Sequence, residues 1–338
     1  MKGAFLSVIM PVYNTADFIA EVLDSLPATL GEDFEVILVD DCSTDGTAEV
    51  IRRHARFSGI KLLKTEKNSG PATARNLGAS QARGDCLFFD ADVLFLPDTF
   101  ERVKAYVQAN PEVRCFSGIS SKDSAGEGLN SQFHALYTYF ALDLIPENSG
   151  ASAWNPRGGF IKKDLFDSLG GFDTRYRKAD VEDYELSKRI LQVTPIVFTR
   201  TLEVKHRFGG FWDSTRNFFK RSRQWINLLF RTRALEKTGH TRLSNVPNLV
   251  IPALMTAAIF SAPFFPVGKV LFALIAAHVA FNLPEFVFFI KTSGFASATV
   301  FLFLILYYHW VALLGISLGL VDIGLSFLSR TREPEKGR

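Results

Sequence analysis

Short apolar runs alternate with segments of helical periodicity through the first third of the chain. The apolar runs at 5–12, 34–39, 60–64, 86–89 and 113–118 predict strands buried on both faces, because continuous runs of this length are typical of parallel sheets. Apolar residues at helical spacing predict helices over 17–26, 45–57, 71–81 and 97–109. This alternation of strand and helix predicts a mostly parallel sheet covered by helices on both faces.

The pattern changes in the last hundred residues, where charges become rare. Between 246 and 290 the only charges are Lys269 and Glu285, and between 295 and 329 the only charge is Asp322. A helix that crosses a bilayer needs roughly 20 mostly apolar residues. The sequence therefore predicts spans over 246–265, 270–290 and 296–318, with two to four spans left open. The alternative, a helical hairpin buried in a soluble core, is disfavoured by runs such as FLFLILYY.

Composition supports a globular part joined to a membrane part. Hydrophobic residues make up 47% of the 338 positions, and the mean hydropathy of +0.11 is high for a purely soluble chain. Three cysteines, none in a CxxC pair, exclude a disulfide framework and a zinc ribbon and indicate a reducing compartment. The apolar N-terminal run lacks a cleavage site and continues into a turn, so we interpret it as a strand rather than a signal peptide.

Charge divides the chain into the same parts. Residues 1–199 carry 21 basic and 28 acidic side chains, whereas 200–242 carry 11 basic and 3 acidic ones. A basic segment beside a first span is typical of the cytoplasmic side of a membrane. We expect a catalytic domain over 1–212, a basic amphipathic helix and linker over 213–245, a transmembrane region over 246–329 and a polar tail over 330–338.

The basic segment has the pattern of an interfacial helix. Within 213–235 the pairs Phe218/Phe219, Trp225/Ile226 and Leu229/Phe230 recur at roughly helical spacing among Lys and Arg. Such a helix is typical of a bilayer interface, and its charges suit anionic headgroups or a lipid phosphate. The alternative is an ordinary helix with a solvated basic face. The adjacent span argues against nucleic acid as a partner.

Carboxylates follow two of the predicted strands. Asp40 and Asp41 end the second strand, and Asp90 and Asp92 follow the fourth, while the first ends in the turn 11–14. An Asp pair alone is also typical of a turn, and a lone Asp-x-Asp of a surface loop. However, ligands of parallel sheets bind beyond the carboxyl ends of the strands. Carboxylates gathered there suit Mg²⁺ or Mn²⁺, which would also bind a diphosphate.

These motifs together resemble a known family. PVYN, VDDCSTDGT, NSGPATARNLGA and FFDADV resemble the nucleotide-diphospho-sugar domain of glycosyltransferase family 2. The resemblance continues through GGF at 158–160, LGGFDTRY at 169–176 and VEDYE at 181–185, and it covers about 4–230. With spans after the catalytic domain, the chain resembles membrane-anchored bacterial-type members. The resemblance implies an α/β architecture, the GT-A fold with a Rossmann-like mixed sheet.

The resemblance also implies roles for particular residues. It places His206 with the two acidic residues at 90 and 92 in a Mg²⁺ or Mn²⁺ site, and it makes Asp183 the general base with Glu182 beside it. It assigns an acceptor side to Gly158, Gly159, Arg221, Arg223 and Trp225. It implies nucleotide contacts from Pro11, Val12, Tyr13, Asn14, Asp40, Asp41, Gly70, Arg75, Asn76 and Asp90, with Asp41 favoured over Asp40.

Two of these positions also have simpler interpretations. His206 follows a strand between Lys205 and Arg207 and would also fit an exposed position. Glu182 and Asp183 would fit the first turn of a helix, where acidic side chains favour the dipole. Both alternatives stay open at the level of sequence.

The resemblance implies an inverting, metal-dependent transfer of one sugar from a nucleotide-diphosphate sugar, with UDP favoured. We expect a hydroxyl of a lipid or lipid-linked glycan as acceptor, at the cytoplasmic face of a bacterial inner membrane. A base at Asp183 favours a hydroxyl, because a phosphate acceptor is already ionised. The alternative is a polyprenyl-phosphate sugar synthase.

Other classes are less favoured. A Rossmann dehydrogenase would carry G-x-G-x-x-G where PVYN stands. The processive signature Q-x-x-R-W is replaced by RSRQW at 221–225, so we expect one sugar for each event. A non-catalytic membrane protein with a degenerate transferase domain also remains an alternative.

Overall fold

The computed structural model describes residues 5–27, 33–54, 59–176, 181–232 and 246–330. The chain forms two compact units. The first, here called the sheet unit, comprises the described residues up to Glu127 together with His134–Phe208. The second, here called the helical unit, comprises Gly128–Phe133 and the described residues from Gly209 onward. The predicted catalytic domain over 1–212 stays a prediction.

The described residues of the sheet unit contain nine strands. Five of the predicted strands are present with small shifts of their ends, and four others, β5 and β7–β9, were not delimited by the apolar pattern because they are short or polar. The strands are β1 Leu6–Val12, β2 Phe34–Asp40, β3 Ile60–Lys64, β4 Asp85–Phe88, β5 Val93–Phe95, β6 Cys115–Ser120, β7 Ser149–Ala151, β8 Gly159–Ile161 and β9 Ile196–His206.

The helices that flank or follow these strands divide between the two units. Helix α2 begins at Thr47, directly after Gly46 at φ +90°, and Asp45 Oδ1 accepts the N–H of Thr47 at 3.0 Å. The helices are α1 Ile19–Ser25, α2 Thr47–Arg53, α3 Pro71–Ser80, α4 Thr99–Ala109, α5 Gly128–Asp143, α6 Lys163–Ser168, α7 Glu182–Leu191, α8 Phe211–Thr232, α9 Val246–Ser261, α10 Gly268–Phe281 and α11 Leu283–Arg330.

The strands form one mixed sheet in the order β3-β2-β1-β4-β8-β6-β9-β5, with β7 paired to β9. The first four strands in this order, β3, β2, β1 and β4, are parallel to one another, as the alternation of strand and helix predicts. Strand β8 is antiparallel to both neighbours, and β5 is antiparallel to β9. The carboxyl ends of β1, β2 and β4 therefore meet at one edge, where the predicted site lies.

Each face of the sheet carries its own apolar core. In β1, Val8 and Met10 belong to one core and Ile9 to the other, as the two-residue period of a strand requires. The second core contains Trp154 and the edge-to-face contact of Phe88 with Phe172. Dense packing on both faces holds the strand ends rigidly, and this rigidity positions the side chains that follow them.

The helical unit corrects the predicted spans. Helix α10 ends at Phe281, so the predicted span over 270–290 is wrong as a continuous helix. The physical reason is Pro284, which lacks an N–H and stands at the second position of α11. Helices α9 and α10 have 16 and 14 residues, about 24 and 21 Å at 1.5 Å per residue, which is short of a bilayer core of about 30 Å.

One described helix is long and apolar enough to cross a membrane. It is α11, over Leu283–Leu325, with a kink at Gly294 where φ is +80°. By length and composition this helix is a possible membrane anchor, whereas a set of several spans is not supported. The predicted tail after 330 and the linker residues 233–245 lie outside the described residues.

Candidate active site

The loop after β1 is bonded to the loop after β2. Asn14, at φ +52°, accepts the N–H of Thr44 at 2.9 Å and donates its own N–H to Ser43 Oγ at 3.0 Å. Asp45 accepts the N–H of Ala16 at 2.9 Å. The Asn14 side-chain oxygen, predicted to contact a nucleotide, is thus part of this loop contact. Pro11 and Val12 lie in β1, whereas Tyr13 is 46% exposed, and its contact with a nucleotide stays a prediction.

Asp40 and Asp41 are both buried, and they differ in their partners. Both oxygens of Asp41 accept protein donors: Oδ1 accepts Thr65 Oγ1 at 2.7 Å, and Oδ2 accepts the N–H of Gly70 at 2.7 Å. The Asp40 carboxylate accepts the N–H of Ser43 through Oδ1, and its Oδ2 is buried without a hydrogen-bond partner among the described residues. The sequence favours Asp41 over Asp40 as the residue that contacts the nucleotide. In the structure, however, the Asp41 carboxylate already accepts hydrogen bonds from the protein. Its contact with Gly70 closes the loop before α3.

Arg75 on α3 joins two of the predicted acids. Its Nη2 lies 2.6 Å from Asp90 Oδ1, and its Nη1 lies 3.0 Å from Glu182 Oε1. Burial alone would lower the pKa of Arg75, but the two carboxylates have the larger effect and raise it. The net pKa is above its usual value, so the guanidinium stays charged. Its carbon Cζ also lies 5.2 Å from the ring centre of Phe172. The neighbouring Asn76, predicted to bind nucleotide, exchanges two hydrogen bonds of 2.8 Å with the backbone of Phe172.

Asp92 and His206 meet because β5 pairs with β9. Val93 lies opposite His206 in this ladder, and the Asp92 carbonyl accepts the N–H of Arg207 at 2.7 Å. His206 Nε2 lies 3.3 Å from Asp92 Oδ2. Burial raises the pKa of Asp92, whereas His206 and, to a smaller extent, Arg157 lower it, with a net decrease. The exposed interpretation of His206 is wrong, since only 12% of its side chain is accessible.

The metal prediction can be tested against the donor atoms. Asp92 Oδ1 and His206 Nδ1 are both buried and have no hydrogen-bond partner among the described residues. These two atoms fit the ligation of a divalent cation. However, Asp90 is committed to Arg75, and the described residues contain no group of three or more His, Cys, Asp or Glu arranged around a metal position. The protein atoms would then supply part of the coordination, with a bound diphosphate supplying more.

The two acids at the start of α7 have different surroundings. Glu182 is 4% exposed and pairs with Arg75. Asp183 is half-buried, and its Oδ1 accepts the N–H of Tyr184 at 2.8 Å. A carboxylate in the first turn of a helix is stabilised by the helix dipole. Of the two acids, Asp183 is the more accessible, and its role as a general base stays a prediction.

The family follows from this arrangement and from comparison with known proteins. Residues 7–169 match the family model described as "Glycosyl transferase family 2". This segment, just under half of the chain, is a glycosyl transferase family 2 domain. An uncharacterized glycosyltransferase of Haemophilus influenzae is 31% identical over 195 residues, which cover 55% of this chain and 62% of that protein. A putative teichuronic acid biosynthesis glycosyltransferase of Bacillus subtilis, TuaG, is 33% identical over 38% of this chain and 52% of its own length.

A solved structure supports the fold. The mannosyltransferase PcManGT of Pyrobaculum calidifontis, in complex with GDP-Man and Mn²⁺, superposes with a TM-score of 0.60 at 20% identity, covering 89% of this chain and 87% of that one. This likeness confirms the predicted GT-A architecture. The matched segments span 62% and 52% of the two curated relatives.

In this family 2 chain the glycines predicted for the acceptor side have a packing role. A Cβ on Gly158 would lie 2.7 Å from Leu202 Cδ2, and a Cβ on Gly159 would lie 2.6 Å from the Trp154 ring. Both are buried where β8 enters the sheet between β4 and β6. They allow close approach of the backbone, and a contact with an acceptor stays a prediction.

The remaining predicted acceptor residues lie on α8 of the helical unit. Arg223 makes two hydrogen bonds to Asp322 of α11, with Nε to Oδ2 at 2.6 Å and Nη2 to Oδ1 at 2.7 Å. Both groups are partly exposed, but the guanidinium fork is occupied, which disfavours Arg223 as an acceptor contact. Arg221 is exposed and Trp225 is half-buried. Asp322, the only charge between 295 and 329, is thus the partner of a basic residue.

Sequence reasoning missed Arg157. This residue lies between β7 and β8, beside the Gly158–Gly159 pair, and its Nε is buried. The signal available in the sequence was a single Arg directly before the Gly-Gly-Phe motif of 158–160. One such residue has no periodicity or spacing to mark it, and only the fold brings it towards Asp92.

Proposed function

We propose that this family 2 protein is an inverting, metal-dependent glycosyltransferase. It transfers a single sugar from a nucleotide-diphosphate sugar, with UDP as the favoured nucleotide. The acceptor is a hydroxyl of a lipid or lipid-linked glycan, and transfer takes place at the cytoplasmic face of a bacterial inner membrane. The cation is Mg²⁺ or Mn²⁺, held on the protein side by Asp92 and His206.

The observation that carries this proposal is the bridge that Arg75 makes between Asp90 and Glu182. It joins the end of β4, where a donor diphosphate is expected, to the start of α7, where the base is expected. It neutralises Glu182, so that the two adjacent acids of α7 take different roles. Asp183 is then the carboxylate that faces the acceptor.

The chemistry follows from charge and proton transfer. The acceptor oxygen attacks the anomeric carbon of the sugar from the face opposite the diphosphate, which inverts the configuration. A carboxylate oxygen of Asp183 takes the proton of the attacking hydroxyl. The bond between the anomeric carbon and the diphosphate oxygen breaks, and its electron pair leaves with the nucleoside diphosphate. A bound divalent cation would offset the negative charge that develops there.

The names of similar proteins support parts of this proposal. PcManGT was solved with GDP-Man and Mn²⁺, which supports a nucleotide-sugar donor and a divalent cation. Staphylococcus aureus TarS, a poly(ribitol-phosphate) β-N-acetylglucosaminyltransferase, is 38% identical over 30% of this chain and 18% of its own length. Together with TuaG it supports a hydroxyl acceptor on a cell-envelope glycan.

Membrane attachment rests on the helical unit. Several large apolar side chains are highly exposed there, among them Phe260, Phe264 and Phe272 at 77%, 78% and 75%. Exposed apolar surface of this extent is typical of contact with lipid. We propose that α11 crosses the bilayer as the membrane anchor and that α9 and α10 contact lipid beside it.

The test is release of nucleoside diphosphate by detergent-solubilised protein. UDP-, GDP- and dTDP-sugars are supplied with Mn²⁺, Mg²⁺ or EDTA, with and without total membrane lipid. We expect metal-dependent release from one donor, increased by lipid. Folded protein that releases no nucleotide under any of these conditions would contradict the proposal. Release that is undiminished in Asp183→Asn, with a polyprenyl phosphate as the acceptor, would instead favour the polyprenyl-phosphate sugar synthase.

A further inference from the structure

Arg157 lies in a narrow crevice of the sheet unit with an unsatisfied donor. The crevice is lined by Gly118, Ser120, Asn155 and Arg157 among other residues. The Arg157 Nε–H is buried and meets no acceptor among the residues that the structure describes. A buried donor of a charged group without a partner is costly, more so than a neutral one. Such a group persists where an anionic ligand completes its hydrogen bonds.

The backbone around Arg157 is held in place. Its N–H donates to Asn155 Oδ1 at 3.0 Å, and the N–H of Asn155 donates to Ser117 Oγ on β6 at 2.8 Å. Pro156, between them, has a fixed φ. The guanidinium therefore extends from a rigid base, so that less conformational entropy is lost when a ligand binds.

The same segment is tied to the helix that carries the predicted base. The N–H of Trp154 donates to Ser187 Oγ at 2.8 Å, and this hydroxyl donates to the Asp183 carbonyl at 2.6 Å. Trp154 is 1% exposed, so this connection is part of the core. The position of Arg157 is thus set relative to Asp183 by well-packed groups.

The crevice that holds Arg157 reaches the strand that carries His206. Its lining includes Val204 of β9, two residues before His206, and Ser120 of β6, which lies opposite Val204 in the ladder. Among the described residues Arg157 and Asp92 form no direct ion pair, and Asp92 pairs with His206 instead. A cation on the side of Asp92 and an anion on the side of Arg157 would fit this separation of charge.

We propose that Arg157 binds the diphosphate of the nucleotide-sugar donor. This inference rests on the proposed function and adds a residue to it. A guanidinium donates in a planar fork that matches phosphate oxygens. When the bond between the anomeric carbon and the diphosphate oxygen breaks, its electron pair stays on that oxygen. Arg157 donates hydrogen bonds to the leaving diphosphate and stabilises the added charge.

The experiment compares nucleotide affinities of the full-length, solubilised protein. Wild type, Arg157→Gln and Arg157→Lys are titrated with UDP, UMP, GDP and GMP, once in EDTA and once in Mn²⁺. In EDTA the protein's own contacts are measured without a cation. We expect Arg157→Gln to weaken binding of the diphosphate by about 10-fold or more, as for loss of a charged hydrogen bond. We expect a much smaller change for the monophosphate, and an intermediate loss for Arg157→Lys.

A matched control is Arg114→Gln. Arg114 lies on the same unit and pairs with Asp164 at 2.7 Å at the surface, so its loss leaves nucleotide affinity unchanged.

If Arg157→Gln binds UDP and GDP as the wild type does, this inference is wrong while the proposed function stands. An equal loss for diphosphate and monophosphate also contradicts it. If Arg157→Gln fails to fold, Arg157→Lys makes the same comparison. Wild type that binds neither diphosphate, with or without Mn²⁺, instead contradicts the proposed function.

Discussion

Arg75 and Glu182 form a buried ion pair although 107 positions separate them in the chain. Their side chains are 5% and 6% accessible, and the Nη1–Oε1 distance is 3.0 Å. Arg75 also binds Asp90, so that one guanidinium serves two carboxylates. Burial strengthens each interaction, because little water screens the charges. The pair therefore holds helix α7 against the end of the parallel strands, where the donor is expected.

Removal of Glu182 tests this pair. Glu182→Gln leaves Arg75 buried with only one of its two acids, and loss of one partner of a buried pair costs about 3 kcal/mol or more. We expect a clear fall in the thermal unfolding midpoint of the solubilised protein. Glu49→Gln is the control, because Glu49 pairs with Arg53 at the surface and exposed pairs contribute about 0.5 kcal/mol. An equal midpoint for the two variants would show that the pair is not a stabilising element.

Asp183→Asn tests the predicted base. The substitution retains the size of the side chain but removes its ability to accept a proton. We expect nucleotide affinity close to wild type and transfer to a hydroxyl acceptor reduced by roughly 10²-fold or more. Asp98→Asn, at an exposed position, is the control for loss of a surface acid. Loss of nucleotide affinity in Asp183→Asn would indicate a structural role for Asp183.

Asp92→Ala tests the cation site. Asp92 and His206 supply the two buried donor atoms without partners. We expect the variant to lose Mn²⁺ binding, measured directly by electron paramagnetic resonance of the bound ion, and to lose metal-dependent release of nucleoside diphosphate. Chelation of the wild type with EDTA has the same effect on release, and added Mn²⁺ restores it. Mn²⁺ affinity equal to wild type in Asp92→Ala would remove this residue from the site.

Two glycines of α11 allow a matched comparison of helix packing. A Cβ on Gly319 would lie 2.3 Å from Ile226 Cγ2 and 2.9 Å from the Arg223 carbonyl oxygen, whereas a Cβ on Gly324 meets nothing within 4 Å. Both positions are helical, so alanine gains about 1 kcal/mol of helix propensity at each. We expect Gly319→Ala to lower the thermal midpoint in detergent and Gly324→Ala to maintain or raise it. Equal midpoints would mean that α8 does not pack closely on α11.

The lowered pKa of Glu35 predicts that the stability of the sheet unit falls in acid. Burial raises its pKa, but hydrogen bonds from Ser7 and Arg83 lower it more, so the net pKa falls below the ordinary value of 4.5. A depressed pKa in the folded state stabilises the protein above the unfolded pKa, and this contribution is lost as pH falls through the folded pKa. We expect Glu35→Gln to flatten the fall of the thermal midpoint below about pH 4.5. A parallel acid limb in the two proteins would contradict this.

Much of the sheet could be predicted from the chain, because buried strands have a short-range signal. The segment 60–64 was predicted with the ends that β3 has, and the parallel order of the first four strands follows from the helices between them. Strands β7 and β8 were not delimited, because each has only three residues and no period is readable over such a length. The predicted span 270–290 failed at Asn282 and Pro284, where backbone chemistry interrupts an apolar run.

The sequence by itself determined which chemical groups stand at the strand ends. An apolar run marks the strand, and the first carboxylate after the run marks where the strand ends. It also determined the family, because motif order is a property of the chain. Only the tertiary structure decided how those groups are used. Asp41 is occupied by the N–H of Gly70, Glu182 by Arg75, and Arg223 by Asp322. The partner of a polar group is set by whatever distant segment packs beside it, and no local pattern records that choice.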